Sequence, residues 1–224
     1  MLTKNHETLA IEVKRHVDAD AVLQGTYWDG SRGCFIGCLA HSPNASALEE
    51  MYGLPLPLVR ICESVFEALP ADEAKAFFAA IPDAVGRDGK DLTRVHWAFL
   101  ASELRALPEA DADTQSVIDT VIAGMDLLAS GGEWSRDAAA YAARAAAYAA
   151  ADAASAARAA DAAYAAAYAA AGAAYAARAA ACAAADAASA ASAARAAAEA
   201  AADAATDAAR LRQRDTLLRL ISEA

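Results

Sequence analysis

Between Asp137 and Arg210, 51 of 74 residues are alanine, and the exceptions recur every third or fourth position. Alanine has the highest helix propensity and no proline interrupts the tract, so its local structure is predicted to be helix. The decorated positions advance by about 3.5 residues per step, the heptad period of supercoiled helices and not the 3.6 of a straight one. A stripe of that period keeps facing one way only if the helix winds around neighbours. Unbroken, the tract would run about 110 Å at roughly 1.5 Å per residue. Gly172 falls on the stripe and is the candidate hinge. The expectation is a continuous helix, with a hairpin bent at Gly172 as the alternative.

The segment 141–157 returns at 175–191 with only Tyr148 changed, to Cys182. The offset is the length of a tetratricopeptide unit, but such a unit needs a turn and varied large residues that the tract lacks. Duplication of one helix is the simpler reading. The stripe carries Tyr141, Arg144, Tyr148, Arg158, Tyr164, Tyr168, Tyr175 and Arg178, with Asp152, Asp161 and Asp186 among them. As a packing edge, each tyrosine buries its ring and finds a partner for its hydroxyl. As a ladder for bases, the rings would stack beside the arginines. The carboxylates in the same stripe disfavour a phosphate backbone, so packing is the preferred reading. The rest of the circumference is nearly pure alanine, which permits close approach but contributes only about 0.8 kcal/mol per methyl-sized group. Many such contacts are required, so helical protein partners or a homo-oligomer are expected.

The longest uncharged run, 162–177, has 16 residues, short of the roughly 20 needed to span a bilayer, and no membrane insertion is expected. The amino terminus carries charges throughout and has no apolar core of signal-peptide type, which predicts a cytoplasmic protein. Net charge is −11. Residues 137–224 hold nine acidic and eight basic side chains, so residues 1–136, with 21 acidic against 11 basic, carry nearly all the imbalance. Direct nucleic-acid binding by that part is disfavoured, whereas a basic partner, such as a nucleic-acid-binding protein, is electrostatically favoured.

The composition divides the chain into an acidic helical domain, 1–132, and an Ala-rich helix with an amphipathic carboxyl segment, 133–224. In the first, Leu9, Ile11, Val13, Val17 and Leu23 predict an apolar face on a helix ending near Gln24-Gly25. Thr26-Tyr27-Trp28 is β-like, Asp29-Gly30 is a turn signal, and 33–38 reads as a return strand or a glycine-started helix. Helices are then predicted near 45–52, from Pro55 and Pro57 to Leu69, and over 71–81, 91–107 and 113–129. In the carboxyl segment Leu211, Leu218 and Ile221 share a helical face, which predicts a docking or capping helix. The fold class is therefore mainly α, with at most a small hairpin.

The constellation with potential chemistry is Gly33-Cys34-Phe35-Ile36-Gly37-Cys38-Leu39-Ala40-His41. On a helix, Cys34, Cys38 and His41 fall at i, i+4 and i+7, on one face, where two thiolates and an imidazole could meet a metal. No fourth ligand is evident, zinc sites commonly use CxxC pairs, and redox pairs do too. Unpaired cysteines are usually buried small hydrophobes, and the two glycines suit tight backbone packing. Structure is thus preferred over a metal or thiol role, and no cofactor is expected. His6 and His16 read as exposed on a charged helix, and His96 as packed or on the surface. No phosphate loop, dinucleotide fingerprint, HExxH or GxSxG occurs.

The stretch Gln24-Gly25-Thr26-Tyr27-Trp28, the GCxxGC segment, His41-Ser42, Gly53-Leu54-Pro55 and Glu67-Ala68-Leu69 resembles a family of uncharacterised proteins from bacterial genomes and prophages, over roughly residues 10–105. The resemblance implies no activity, and the Ala-rich tract looks like an appended extension. The expected function is a non-enzymatic interaction or assembly protein built on close-packed helices. The alternatives are a prophage-type inhibitor that blocks a basic nucleic-acid-binding protein with its acidic domain, and a metal or thiol enzyme using Cys34, Cys38 and His41.

Overall fold

A computed structural model describes residues 1–110, 112–135, 137–140 and 203–224. The expected interaction stripe from Tyr141 to Arg178, the candidate hinge at Gly172 and the duplicated segment lie outside the described residues. Among the described residues the architecture is mainly α: α1 (His6–Asp18), α2 (Phe35–Ala40), α3 (Ser46–Tyr52), α4 (Leu56–Ala68), α5 (Ala71–Val85), α6 (Val95–Arg105), α7 (Ala112–Ala129) and α8 (Asp203–Glu223). Among the described residues, pairing of extended backbone is limited to isolated bridges, one of which joins Trp28 and Gly33 across the turn at Asp29-Gly30, with no strands on either side.

The chain divides into two compact units, Met1–His96 with Ala204–Ala224, and Trp97–Asp203. The boundary in composition near residue 132 does not coincide with this division, which breaks after His96 and again after Asp203.

In the first unit α1 packs on α5 and α2, α4 packs on α5, and α2 and α3 pack on each other and on α4. Phe35, at the start of α2, holds the centre, with ring centroids 6.4, 6.1 and 5.9 Å from Phe66, Phe77 and Phe78. Such aromatic contacts add to area burial through edge and offset-stacked geometry. Along the chain the helices α3 to α6 follow the expected pattern closely. Pro55 and Pro57 flank the first residue of α4, where a missing amide costs nothing, and α5 runs through a buried Pro82 to Val85.

The first helix is shorter than its hydrophobic pattern predicts. It ends at Asp18, and its buried face is Leu9, Val13 and His16, while Ile11 and Val17 are exposed. Asp20 takes a left-handed conformation, φ 50°, and the Ala21 amide donates back to the His16 carbonyl at 2.9 Å, which turns the chain out of the helix. The expectation that His16 is exposed is overturned with it.

Helix α8 docks on this unit as a carboxyl-terminal segment was expected to do, but through Leu217 and Ile221, which are fully buried. Leu211 and Leu218 are only partly covered. Ile221 lines a small apolar cavity of the core together with Phe35, Leu58, Cys62, Ile81 and Leu92. Arg214 pairs with Glu73 of α5. Lys90 Nζ donates to the carbonyls of Ile221 and Ser222, each at 2.7 Å, and of Ala84 at 3.2 Å, so one ammonium serves the carboxyl ends of α8 and α5. Those ends carry unpaired carbonyls and the negative pole of the helix dipole, which a cation satisfies.

In the second unit Phe99, Leu100 and Leu104 of α6 are buried, as are Ile118, Val121 and Met125 of α7. Gly124 lets the Trp134 ring lie directly on α7, where a Cβ would meet it at 2.3 Å.

Candidate metal centre

The site is built from two glycines outward. The Tyr27 carbonyl lies so close to α2 that a Cβ on Gly33 would meet it at 2.1 Å and one on Gly37 at 1.3 Å. Hydrogen alone at these positions lets the 26–28 segment rest on the helix. The Cys34 amide secures the contact by donating to the Thr26 carbonyl at 2.7 Å. Asp29 Oδ1 then accepts from the amides of Arg32 at 2.8 Å and Ser31 at 2.9 Å, and these hydrogen bonds hold its carboxyl down at about 2. Gln24 fastens the start of the loop by donating to the Phe66 and Leu69 carbonyls at the end of α4, at 2.7 and 2.8 Å. The loop delivers Trp28 to the end of α2, stacked on His41 with centroids 4.8 Å apart and planes 28° from parallel.

His41 closes α2 in the left-handed region, φ 50°, and its imidazole meets α1. There Glu12 and His16 stand at i and i+4, neighbours on one helix face. The Nε2 atoms of His16 and His41 are 3.1 Å apart. Glu12 Oε2 is 3.7 Å from the first and 3.6 Å from the second. With those three separations, the point equidistant from all three atoms lies about 2.0 Å from each, at the distance where zinc holds imidazole nitrogen and carboxylate oxygen.

Side-chain exposure rises from 5% at His16 through 19% at Glu12 to 43% at His41, so the site is closed beneath and open on the His41 side. Glu12 Oε2 is buried without a hydrogen bond; Arg15 Nη2 stands 3.0 Å from it as an ion pair and 3.0 Å from His41 Nε2. Burial first, then the positive charge of Arg15, push His16 below the ordinary imidazole value, and a hydrogen bond to the Cys38 backbone acts in the other direction. A neutral imidazole offers a lone pair, and two facing nitrogens share one proton at most.

The trio Cys34, Cys38 and His41 does not assemble. His41 turns to α1, whereas Cys38 Sγ donates to the Gly33 carbonyl at 3.1 Å and Cys34 Sγ to that of Tyr27 at 3.8 Å. Both thiols are buried, and burial pushes Cys34 up to about 12 and Cys38 up to about 11, which disfavours the free thiolate near neutral pH. Cys34 also lies close to Glu63 and Glu67. Those carboxylates already accept from the backbone, Glu63 from Ile36 at 3.0 Å and Glu67 from Gly25 at 2.9 Å, so the group is a loop fastening.

Glu12, His16 and Trp28 were not singled out as site residues by the sequence reading. The i, i+4 spacing of Glu12 and His16 was visible, but the charged neighbours Lys14 and Arg15 made that face look solvated. His6 binds elsewhere, its Nε2 2.9 Å from the Pro82 carbonyl, and His96 is buried. No described helix is long and apolar enough to cross a membrane. The chain matches no protein-family model, no curated protein and no solved structure.

Proposed function

We propose that the first unit is a divalent-metal-binding module with Glu12, His16 and His41 as its ligands, and that the chain acts through the metal held there. The supporting observation is the mutual spacing of 3.1, 3.6 and 3.7 Å among the three donor atoms. Two imidazoles and one carboxylate form a borderline donor set that suits zinc, iron(II) or manganese(II) more than calcium. Three protein ligands leave further coordination positions, as in metal sites that act on a substrate; purely structural zinc is usually enclosed by four. Such a metal supplies Lewis-acid chemistry to an oxygen ligand, and Trp28 walls one side of the opening.

Calorimetric titration with Zn2+, Mn2+ and Co2+ tests this reading. One equivalent is expected to bind, with affinity falling at least about tenfold in Glu12→Gln, His16→Ala and His41→Ala, by analogy with the loss of one ligand contact. Cys34→Ser and Cys38→Ser should bind as the parent does. An unaltered isotherm in folded His16→Ala overturns the assignment.

A second reading is that the chain is an interaction and assembly protein. The observation that favours it is the seating of Leu217 and Ile221 of α8 in the first unit, an intramolecular helix-face contact of the kind a partner helix would also make. Self-association of the full chain in solution, unchanged by metal, would favour it.

A further inference from the structure

Arg15 stands where a cation belongs. Its Nη2 is 3.0 Å from Glu12 Oε2 and 3.0 Å from His41 Nε2, two of the three atoms that converge on the metal position. Its side chain is 55% exposed, so it can leave without giving up a packed position. A dication about 2.0 Å from the same two atoms, the usual bond length, would lie within roughly 5 Å of that guanidinium nitrogen and repel it. Once released, the guanidinium remains tethered one residue from His16, on the rim of the open side. There it presents a planar fork of donors suited to carboxylate or phosphate oxygens.

We propose that Arg15 is an exchange residue. It fills the cation position of the metal-free site and, displaced by metal, binds the second oxygen of an oxyanion whose first oxygen completes the metal's coordination. The inference rests on the metal reading and adds the ligand class: a small carboxylate or phosphate with at least two free oxygens. A monatomic anion cannot make the bridge. Trp28 and His41, stacked beside the opening, limit the bridge to one side of the metal.

The experiment is a pair of titrations on the full chain, read by the visible absorption of bound Co2+, first with Co2+ and then with inorganic phosphate, acetate or chloride. Removing Arg15 removes a competitor from the first equilibrium and a binding group from the second, so the two effects have opposite signs. Arg15→Ala should bind Co2+ about threefold or more tightly, as expected for loss of a partly exposed ion pair, and phosphate about tenfold more weakly, as expected for loss of a charge-assisted hydrogen bond. Arg15→Lys should fall between on phosphate. Chloride should shift the spectrum equally in all three proteins. Stronger response to acetate than to phosphate assigns a carboxylate ligand, and the reverse a phosphate. A general structural role for Arg15 would weaken both equilibria, and that result, or no change in either, overturns the proposal while leaving the metal site standing. Failure of the parent protein to bind Co2+ overturns both.

Discussion

A single ionisable side chain can set the pH response of the first unit. His96 is buried, and desolvation pushes its imidazole down to about 4, against about 6.5 in an unfolded chain. Above 6.5 both states are neutral at this residue and it adds no pH dependence. Between about 6.5 and 4 the unfolded chain takes a proton that the folded one refuses, so stability falls as pH falls, by up to about 3 kcal/mol over the whole window. Below about 4 both states are protonated and the effect levels off. Acid also relieves the repulsion of a chain with net charge −11, so the prediction is made on a difference: His96→Gln should flatten the dependence of unfolding free energy on pH between 6.5 and 4 relative to the parent. Urea titrations at four or five pH values measure it. Parallel curves for the two proteins contradict the assignment.

At the scale of elements, what could be read from the sequence depended on whether a pattern was local. Helix α4 announced itself by Pro55 and Pro57 ahead of a regular apolar face, and α3 to α6 formed close to where periodicity put them. Helix α1 overran in prediction because Val17 and Leu23 continue its apolar rhythm, while the turn at Asp20 depends on an amide returning to the His16 carbonyl. The site was legible only in part for the same reason. Gly33, Gly37 and His41 were visible as a motif, but the bearing of His41 on α1 comes from the left-handed close of α2 and from a loop pinned by Gln24 to the far end of α4. Helix α8 makes the comparable point about phase: the face was read through Leu211, Leu218 and Ile221, and packing kept Ile221 but took Leu217, one turn before it, in place of the other two. Ile221→Ala should therefore destabilise by about 2–4 kcal/mol through loss of transfer free energy and an unfilled cavity. Leu211→Ala, at a partly covered position, should change stability by much less. Denaturant midpoints of the two variants rank the residues, and equal losses would show that α8 is not seated as described.

On the scale of the whole molecule, the first unit is assembled from two stretches, Met1–His96 and Ala204–Ala224, with all of Trp97–Asp203 intervening in sequence. Folding that unit includes bringing distant parts of the chain together, a loop-closure cost that grows only slowly with length but slows formation of the non-local contacts. The return is the burial of Leu217 and Ile221, each about 1.5–3 kcal/mol when removed from water, the Arg214–Glu73 pair, and the Lys90 bridge that caps two helices at once. A chain ending near Gly132 would thus remove part of the first unit's core along with the Ala-rich tract, and weaker folding of such a fragment would say nothing about the tract itself. The cleaner variant deletes 205–224 alone. It should lower the denaturant midpoint of the first unit, expose Ile81 and Leu92 to solvent, and recover stability when a peptide covering 203–224 is added in excess, because binding to the folded state alone stabilises it by mass action. Recovery by the peptide should be lost when its Ile221 is replaced by Asp, since a charge cannot be buried beside Phe35 and Leu58 unpaired. If the deletion unfolds as the parent does, α8 contributes nothing to the stability of the unit.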